Sequence, residues 1–400
     1  MTEAETFRAE LAEFLDGELP RRLGELPPDT AEYWGGRRPE LPHRNSKRYC
    51  ELMAERGLTA PTWPTGYGGG GLDQERAKIV TAELRRRRLP APLSGFGLTM
   101  IGPTLLQFGT EDQKREHLPR IARGEIRWAQ GYSEPNAGSD LASLAASARI
   151  TGDDIVLNGQ KVWTSYADKA DWMFGIFRTD TGGKKQEGIT FLLLDMAQPG
   201  VEVRPIKLIS GASPFCETFF TDARAHTRDI IHGVGNGWTV AKALLGYERT
   251  MIAELFGPGG RGRDAAAGNS LVELARRYLG ERDGQIADPV LRDWLARFSM
   301  DERCFALTMQ RSVDAAKAGH KPGPESAIFK VHGSELHQRR HELMLALRGP
   351  QCLGWEGDGF DDAELAQTRE WLFSRGITIA GGTSEIQLNI IAKHVLGLPD

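Results

Sequence analysis

Cysteine is scarce in this 400-residue chain: Cys50, Cys216, Cys304 and Cys352 lie far apart and form no CxxC pair. That spacing suggests neither a zinc site nor a disulfide framework, and it suits a reducing compartment. No apolar run approaches the ~20 residues of a membrane-spanning helix. The acidic start "MTEAETFRAELAEFLDGELP" carries Phe7, Leu11, Phe14 and Leu15 at helical spacing, which describes an amphipathic helix and not a secretory leader. An excess of positive charge is missing too. The net charge is -4 and the pI about 6.2, so no general attraction to nucleic acid or membrane is expected, and a cytoplasmic location is. The local run Arg85 to Arg88 has no interleaved aromatics and reads as a solvated helix end.

Several catalytic signatures are lacking as well. There is no GxSxG elbow for a serine hydrolase. The Gly68 to Gly71 run lacks the GxxxxGK[ST] or strand-GxGxxG-helix context of a phosphate loop, and reads as a flexible turn. His337 and His341 in "HGSELHQRRH" are four apart, but without the Glu of HExxH they read as helix-face histidines, with no metal expected.

What is present is a chain that is 40% hydrophobic and 26% charged, enough for two or three domains with substantial cores. Helical patterning runs to about residue 125, broken by "APTWPTGYGGGGLD" and "RLPAPLSGFG". From 126 to 233 short β-prone stretches follow one another, with Asn158-Gly159 as a hairpin turn, predicting a small antiparallel β domain. From 234 to 400 the periodicity predicts helices over 239–256, 263–279, 289–318, 325–347, 363–373 and 383–395, packed as a bundle. The expected class is α+β: an N-terminal helical domain (1–125), a middle β domain (126–233) and a C-terminal four-helix-bundle domain (234–400).

Three features carry candidate chemistry. "QGYSEPNAGSD", Gln130 to Asp140, packs hydroxyls, a carboxylate and loop amides into one turn, as a binding surface or an elaborate turn would. Glu248 sits three or four residues from Leu244, Leu245, Met251 and Ile252, on an apolar helix face. Burial raises a carboxylate pKa, which suits a carbon-acid base, but an ion pair with Arg249 is an equal reading. Near the C-terminus, Gly381 and Gly382 precede Thr383, a suitable N-cap whose helix could hold an anion on its free amides or simply be capped.

Taken together, "GYSEPNAGSDLASL", "VLNGQKVWTSYADKADWMFGIFRTD" and "AGGTSEIQLNIIAKHVLGLP", with "WPTGYGGGG" and "GNGWTVAKALLGYERT", resemble the acyl-CoA dehydrogenase family over nearly the whole chain. The resemblance implies FAD as cofactor and α,β-desaturation of an acyl-CoA thioester to a trans-2-enoyl-CoA, with the β hydride going to flavin N5. It implies that Tyr132 and Ser133 meet the flavin pyrimidine, that Ser139 contacts the pantetheine arm, and that Trp163 packs on the ring. Thr164 or Ser165 would donate to N5; Thr383, Ser384 and Glu385 would lie near the ribityl and diphosphate. The family's glutamate base stands either before the C-terminal GTS, where this chain has Gly381, or on the first bundle helix, where it has Glu248, with Arg249 orienting the substrate.

The resemblance also implies partners: an electron-transfer flavoprotein as acceptor, and a homo-oligomer, dimer or tetramer, or a mixed assembly with a related subunit. One departure bears on assembly. The family's Arg-x-x-Phe-Gly stretch, which reaches a neighbouring subunit's FAD, is replaced by "GERDGQIADP", with Arg282 out of register. Alternatives are a flavin oxidase or monooxygenase, a dehydrogenase acting on acyl carrier protein, and a flavin-deficient subunit of a mixed complex.

Overall fold

The computed structural model describes residues 2–256, 270–319, 323–324 and 326–399, with the side chains of 247–256 and 316–317 outside that description. The chain forms two compact units, Met1–Ile206 with Pro214–Tyr247, and Lys207–Ser213 with Glu248–Asp400.

The first unit opens with helix α1 (Glu3–Glu13), begun by a capping box in which Thr2 and Glu5 each bond the other's amide. Leu11, Phe14 and Leu15 are buried as the helical spacing predicts, and Phe7 packs partly against the same core. Helices α2 (Leu19–Leu23), α3 (Ser46–Ala54), α4 (Gln74–Arg86), α5 (Gly102–Phe108) and α6 (Glu111–Ala122) follow.

Two expectations for this region are corrected. The Arg85 to Arg88 run is not simply solvated: Arg87 is largely buried, donates to Asp16 at 2.6 Å and pairs with Glu83, while Arg88 pairs with Asp29. Glu83 is itself buried, so the two desolvated charges balance each other. The glycine run is not a loose turn either. The amides of Gly69, Gly70 and Gly71 bond the carbonyls of Pro64, Ala60 and Trp63, and a Cβ at Gly69 would stand 2.2 Å from the Trp63 carbonyl oxygen. Close backbone approach demands glycine there.

The β part is an eight-stranded sheet ordered β6-β7-β3-β2-β4-β5-β8, with β1 also paired to β4. The strands are β1 (Trp128–Gly131), β2 (Ser147–Thr151), β3 (Asp154–Ser165), β4 (Trp172–Arg178), β5 (Ile189–Asp195), β6 (Val201–Ile206), β7 (Phe215–His226) and β8 (Ile230–Ile231). Most ladders are antiparallel, but β1 and β2 both join β4 in parallel, so the sheet is mixed. Asn158-Gly159 is not the hairpin turn. Thr151 pairs with Asp154 around Gly152 and Asp153, and β3 runs straight through Asn158 and Gly159. There the register with β7 shifts, Gly159 takes φ +136°, and Asn158 exchanges two 3.0 Å bonds with Asp222. The extra residue of this bulge lies on β7, where Thr221 and Asp222 (φ 52°) together face Asn158.

Helix α7 (Gly237–Phe256) leads out of the sheet. The second unit holds α8 (Leu271–Leu279), a small hairpin of β9 (Glu281–Arg282) and β10 (Gln285–Ile286), α9 (Pro289–Lys317), α10 (Ser326–Arg348), α11 (Asp362–Ser374) and α12 (Ser384–Ile390). The bounds of α7, α9, α10 and α11 track the sequence periodicity, whereas the helix expected over 263–279 begins, among the described residues, at Leu271 after its N-cap Ser270, with 263–269 outside the described residues. Helix α10 is central, packing against α8, α9, α11 and α12 around Phe298, Phe305, Leu343 and Leu347. His337 and His341 lie ring to ring at 4.6 Å, and burial pushes both imidazoles down to about 4. His341 bonds Gln367 at 2.7 Å, a helix-packing contact.

Candidate active site

Near its end β3 carries a bulge of its own. Lys161 faces Thr218 and Thr164 faces Cys216, so Val162 and Trp163 together oppose the single residue Glu217. Trp163 adopts φ 60°, costly for a bulky residue, and Tyr166 just beyond adopts φ 52°. The bulge turns the indole outward: Trp163 is 55% exposed, touching Phe215 edge-on at 6.1 Å. Strain of this kind persists where the surroundings impose it, and it clusters at ligand sites.

The two adjacent hydroxyls separate cleanly. Thr164 is fully buried, and its Oγ1 bonds the Cys216 carbonyl at 2.8 Å and the Thr218 hydroxyl at 2.9 Å. Ser165 is half-buried on the outer side with Trp163. Of the pair left open by the sequence, Ser165 has the hydroxyl available to a ligand on that face.

Tyr132 and Ser133 leave the end of β1 and dock against this bulge through a 2.9 Å bond from the Val162 amide to the Ser133 carbonyl. Tyr132 is buried, its ring edge-on to Phe174 and Phe191. Glu134 and Ala137 then close a tight turn by bonding each other's backbone. The Glu134 carboxylate accepts from the Ala145 and Ala146 amides at 2.7 and 2.9 Å, and from Lys161 Nζ at 2.8 Å. Lys161 is completely buried, also donates to the Tyr132 carbonyl at 3.1 Å, and lies over the Phe177 ring. Burial lowers its pKa to about 8, against the opposing pull of Glu134. Ser139 stands exposed further along the turn, beside Asp140, which pairs with Lys185 at 2.9 Å.

Sequence reasoning missed Glu134 and Lys161. The available signal was a lysine at an inward strand position with no acidic neighbour close in sequence.

In the second unit Thr383 is the N-cap of α12, its hydroxyl accepting from the Ile386 amide at 3.3 Å. Gly381 and Gly382 have φ of 65° and 94°. Lys330 and Gln338 of α10 bond the Thr378 and Ser374 carbonyls and so fix the approach to that cap. The Ser384 amide bonds the Thr378 carbonyl at 3.0 Å, and Glu385 is exposed. The side chains of Glu248 and Arg249, on α7, lie outside the described residues. In place of the Arg-x-x-Phe-Gly stretch stands the β9–β10 hairpin, with Arg282 exposed and Asp283 and Gly284 at its tip.

No helix among the described residues is long and apolar enough to cross a membrane. No cluster of three metal-ligating side chains occurs among them.

Comparison with known proteins agrees over the full length. Residues 1–125, 129–223 and 235–396 match the acyl-CoA dehydrogenase N-terminal, middle and C-terminal domains. The chain is 37% identical to acyl-CoA dehydrogenase IpdE1 of Mycobacterium tuberculosis, covering 100% of this chain and 99% of that one. It is 36% identical to the Mycolicibacterium smegmatis IpdE1, with the same coverage. Among solved structures, the Tcur3481-Tcur3483 steroid ACAD superposes with a TM-score of 0.76 at 27% identity, over 99% and 97% of the two chains. The chain belongs to the acyl-CoA dehydrogenase family, an oxidoreductase family of FAD-binding flavoproteins.

Proposed function

We propose that the chain binds FAD on the outer face of the β3 bulge and desaturates an acyl-CoA thioester to the trans-2-enoyl-CoA. The observation that carries this reading is the strained, outward Trp163 with Ser165 beside it and the Tyr132–Ser133 turn docked against it. These residues fit a flat, nitrogen-rich ring: Trp163 offers an aromatic face, and Ser165 and Ser133 offer hydroxyls. When bound, FAD supplies the two-electron chemistry, accepting the hydride from the β carbon.

The remaining work falls to the chain. Glu248 takes the α proton, a role supported by its place among Leu244, Leu245, Met251 and Ile252 and by glycine at the alternative position, 381. Arg249 orients the substrate, Ser139 meets the pantetheine arm, and Thr383, Ser384 and Glu385 serve the ribityl-diphosphate half. An electron-transfer flavoprotein re-oxidises the enzyme in the cytoplasm. The steroid ACAD similarity favours an acyl group attached to a sterol-derived skeleton.

A second reading, in which a related subunit completes the flavin site, is favoured by the β9–β10 hairpin in place of Arg-x-x-Phe-Gly. A neighbour of the same fold is the ChsE4-ChsE5 complex of Mycobacterium tuberculosis, with a TM-score of 0.72 at 26% identity.

The test is turnover of an acyl-CoA panel by the chain with FAD and a dye acceptor, followed by mass spectrometry. A product lighter by two hydrogens supports desaturation. A hydroxylated product, or peroxide in place of dye reduction, contradicts it.

A further inference from the structure

Glu134 and Lys161 lie 27 positions apart, yet each is joined to a different wall of the proposed flavin site. Glu134 directly follows Ser133, and Lys161 precedes Trp163 by two residues. Their 2.8 Å ion pair is buried. Glu134 also accepts from the Ala145 and Ala146 amides, and Lys161 donates a further proton to the Tyr132 carbonyl. No bond of this group reaches the outer face. A buried pair is a poor source of net stability, because desolvation offsets most of its attraction, while its geometry is demanding. A lysine and a glutamate kept there, where two apolar residues would fill the space, point to geometric specification.

We propose that the Lys161–Glu134 pair is a positioning device that holds the Tyr132–Ser133 turn and the Trp163–Ser165 bulge in one mutual placement, ready to receive the flavin. Neither residue touches the ligand. Both act through the segments they join, and the inference rests on the flavin reading of Trp163. The charged groups facing Lys161 are Glu134 from the turn and Arg178 from β4.

The experiment compares the full chain with Lys161→Met, Lys161→Arg and Glu134→Gln, at a temperature where each is folded by circular dichroism. Hydrogen exchange is first read without FAD. The Lys161→Met change is expected to speed exchange at the Val162, Ala145 and Ala146 amides about tenfold or more and leave β5 unchanged, with Lys161→Arg restoring part of the protection. FAD titration then follows from pH 6 to 9. Affinity is expected to fall about tenfold in Lys161→Met, and to weaken in the wild type above pH ~8 but not in Lys161→Arg.

Unchanged exchange, or acceleration shared equally by β5, overturns the proposal. So does selective acceleration without any loss of FAD affinity. If even the wild type binds no FAD, the flavin reading fails, and with it the role assigned to the pair, whereas the exchange pattern still decides whether the pair couples the two segments. Should Lys161→Met not fold, Glu134→Gln, which keeps the side-chain shape, carries the same comparison.

Discussion

Thr164 and Ser165 are adjacent hydroxyls with opposite assignments, and exchanging their consequences tests the site at the level of single atoms. Thr164→Val keeps the shape of the side chain but removes the bonds to the Cys216 carbonyl and the Thr218 hydroxyl, both fully buried. Leaving such groups short of partners costs about 1–3 kcal/mol. Ser165 is half-buried and bonds to no other side chain among the described residues, so Ser165→Ala should change stability by less than about 0.5 kcal/mol. If its hydroxyl donates to the flavin as charge develops there, the lost bond is of the charged class, about 1.5–3 kcal/mol. That corresponds to roughly a ten- to hundred-fold slower reduction. Urea unfolding of both variants, with anaerobic stopped-flow reduction by the best acyl-CoA, reads the two effects separately. A Thr164→Val enzyme that is fully stable but slow, beside a Ser165→Ala enzyme of normal rate, would refute the orientation argued from the bulge.

Three further outcomes follow from the same structure. Glu248→Gln should retain FAD and acyl-CoA binding and lose turnover; full turnover removes Glu248 from the mechanism. Gly159→Ala should destabilise the chain by more than about 1 kcal/mol in urea, since φ is +136° and the added Cβ would lie 2.7 Å from Ala146 Cα. His117, His337 and His341 are each pushed down to about 4 by burial, while the unfolded chain protonates them near 6.5. Their folded pKa values are depressed, so the stability they contribute is present above pH ~6.5 and lost as pH falls toward 4. Denaturation midpoints should therefore decline from pH 7 to 5, and a flat profile would contradict the burial of these rings.

The helices were legible because their burial is local: an apolar stripe such as Leu11, Phe14 and Leu15 announces its own core face. What misled was a residue pair with two uses. Asn158-Gly159 favours unusual backbone angles, and the alternation of Ala148 and Ile150 against Leu157 and Ile155 places the turn six residues earlier, leaving the pair opposite a bulge in β7. Contacts distant in sequence left little to read beyond an inward strand lysine. Arg87 with Asp16, and the buried Lys161 with Glu134, are pairs 71 and 27 positions apart. The aromatic and hydroxyl residues of the proposed site came from family resemblance, and the proposal of Ser165 over Thr164 came only from seeing which one the sheet consumes.

The most direct test of the central claim is the visible spectrum of the chain purified alone and mixed with FAD, before and after anaerobic addition of acyl-CoAs, set beside Trp163→Ala. The account predicts a bound-flavin spectrum that bleaches with at least one thioester, and weaker FAD retention in the variant. A wild-type protein that stays colourless after FAD is added would contradict it.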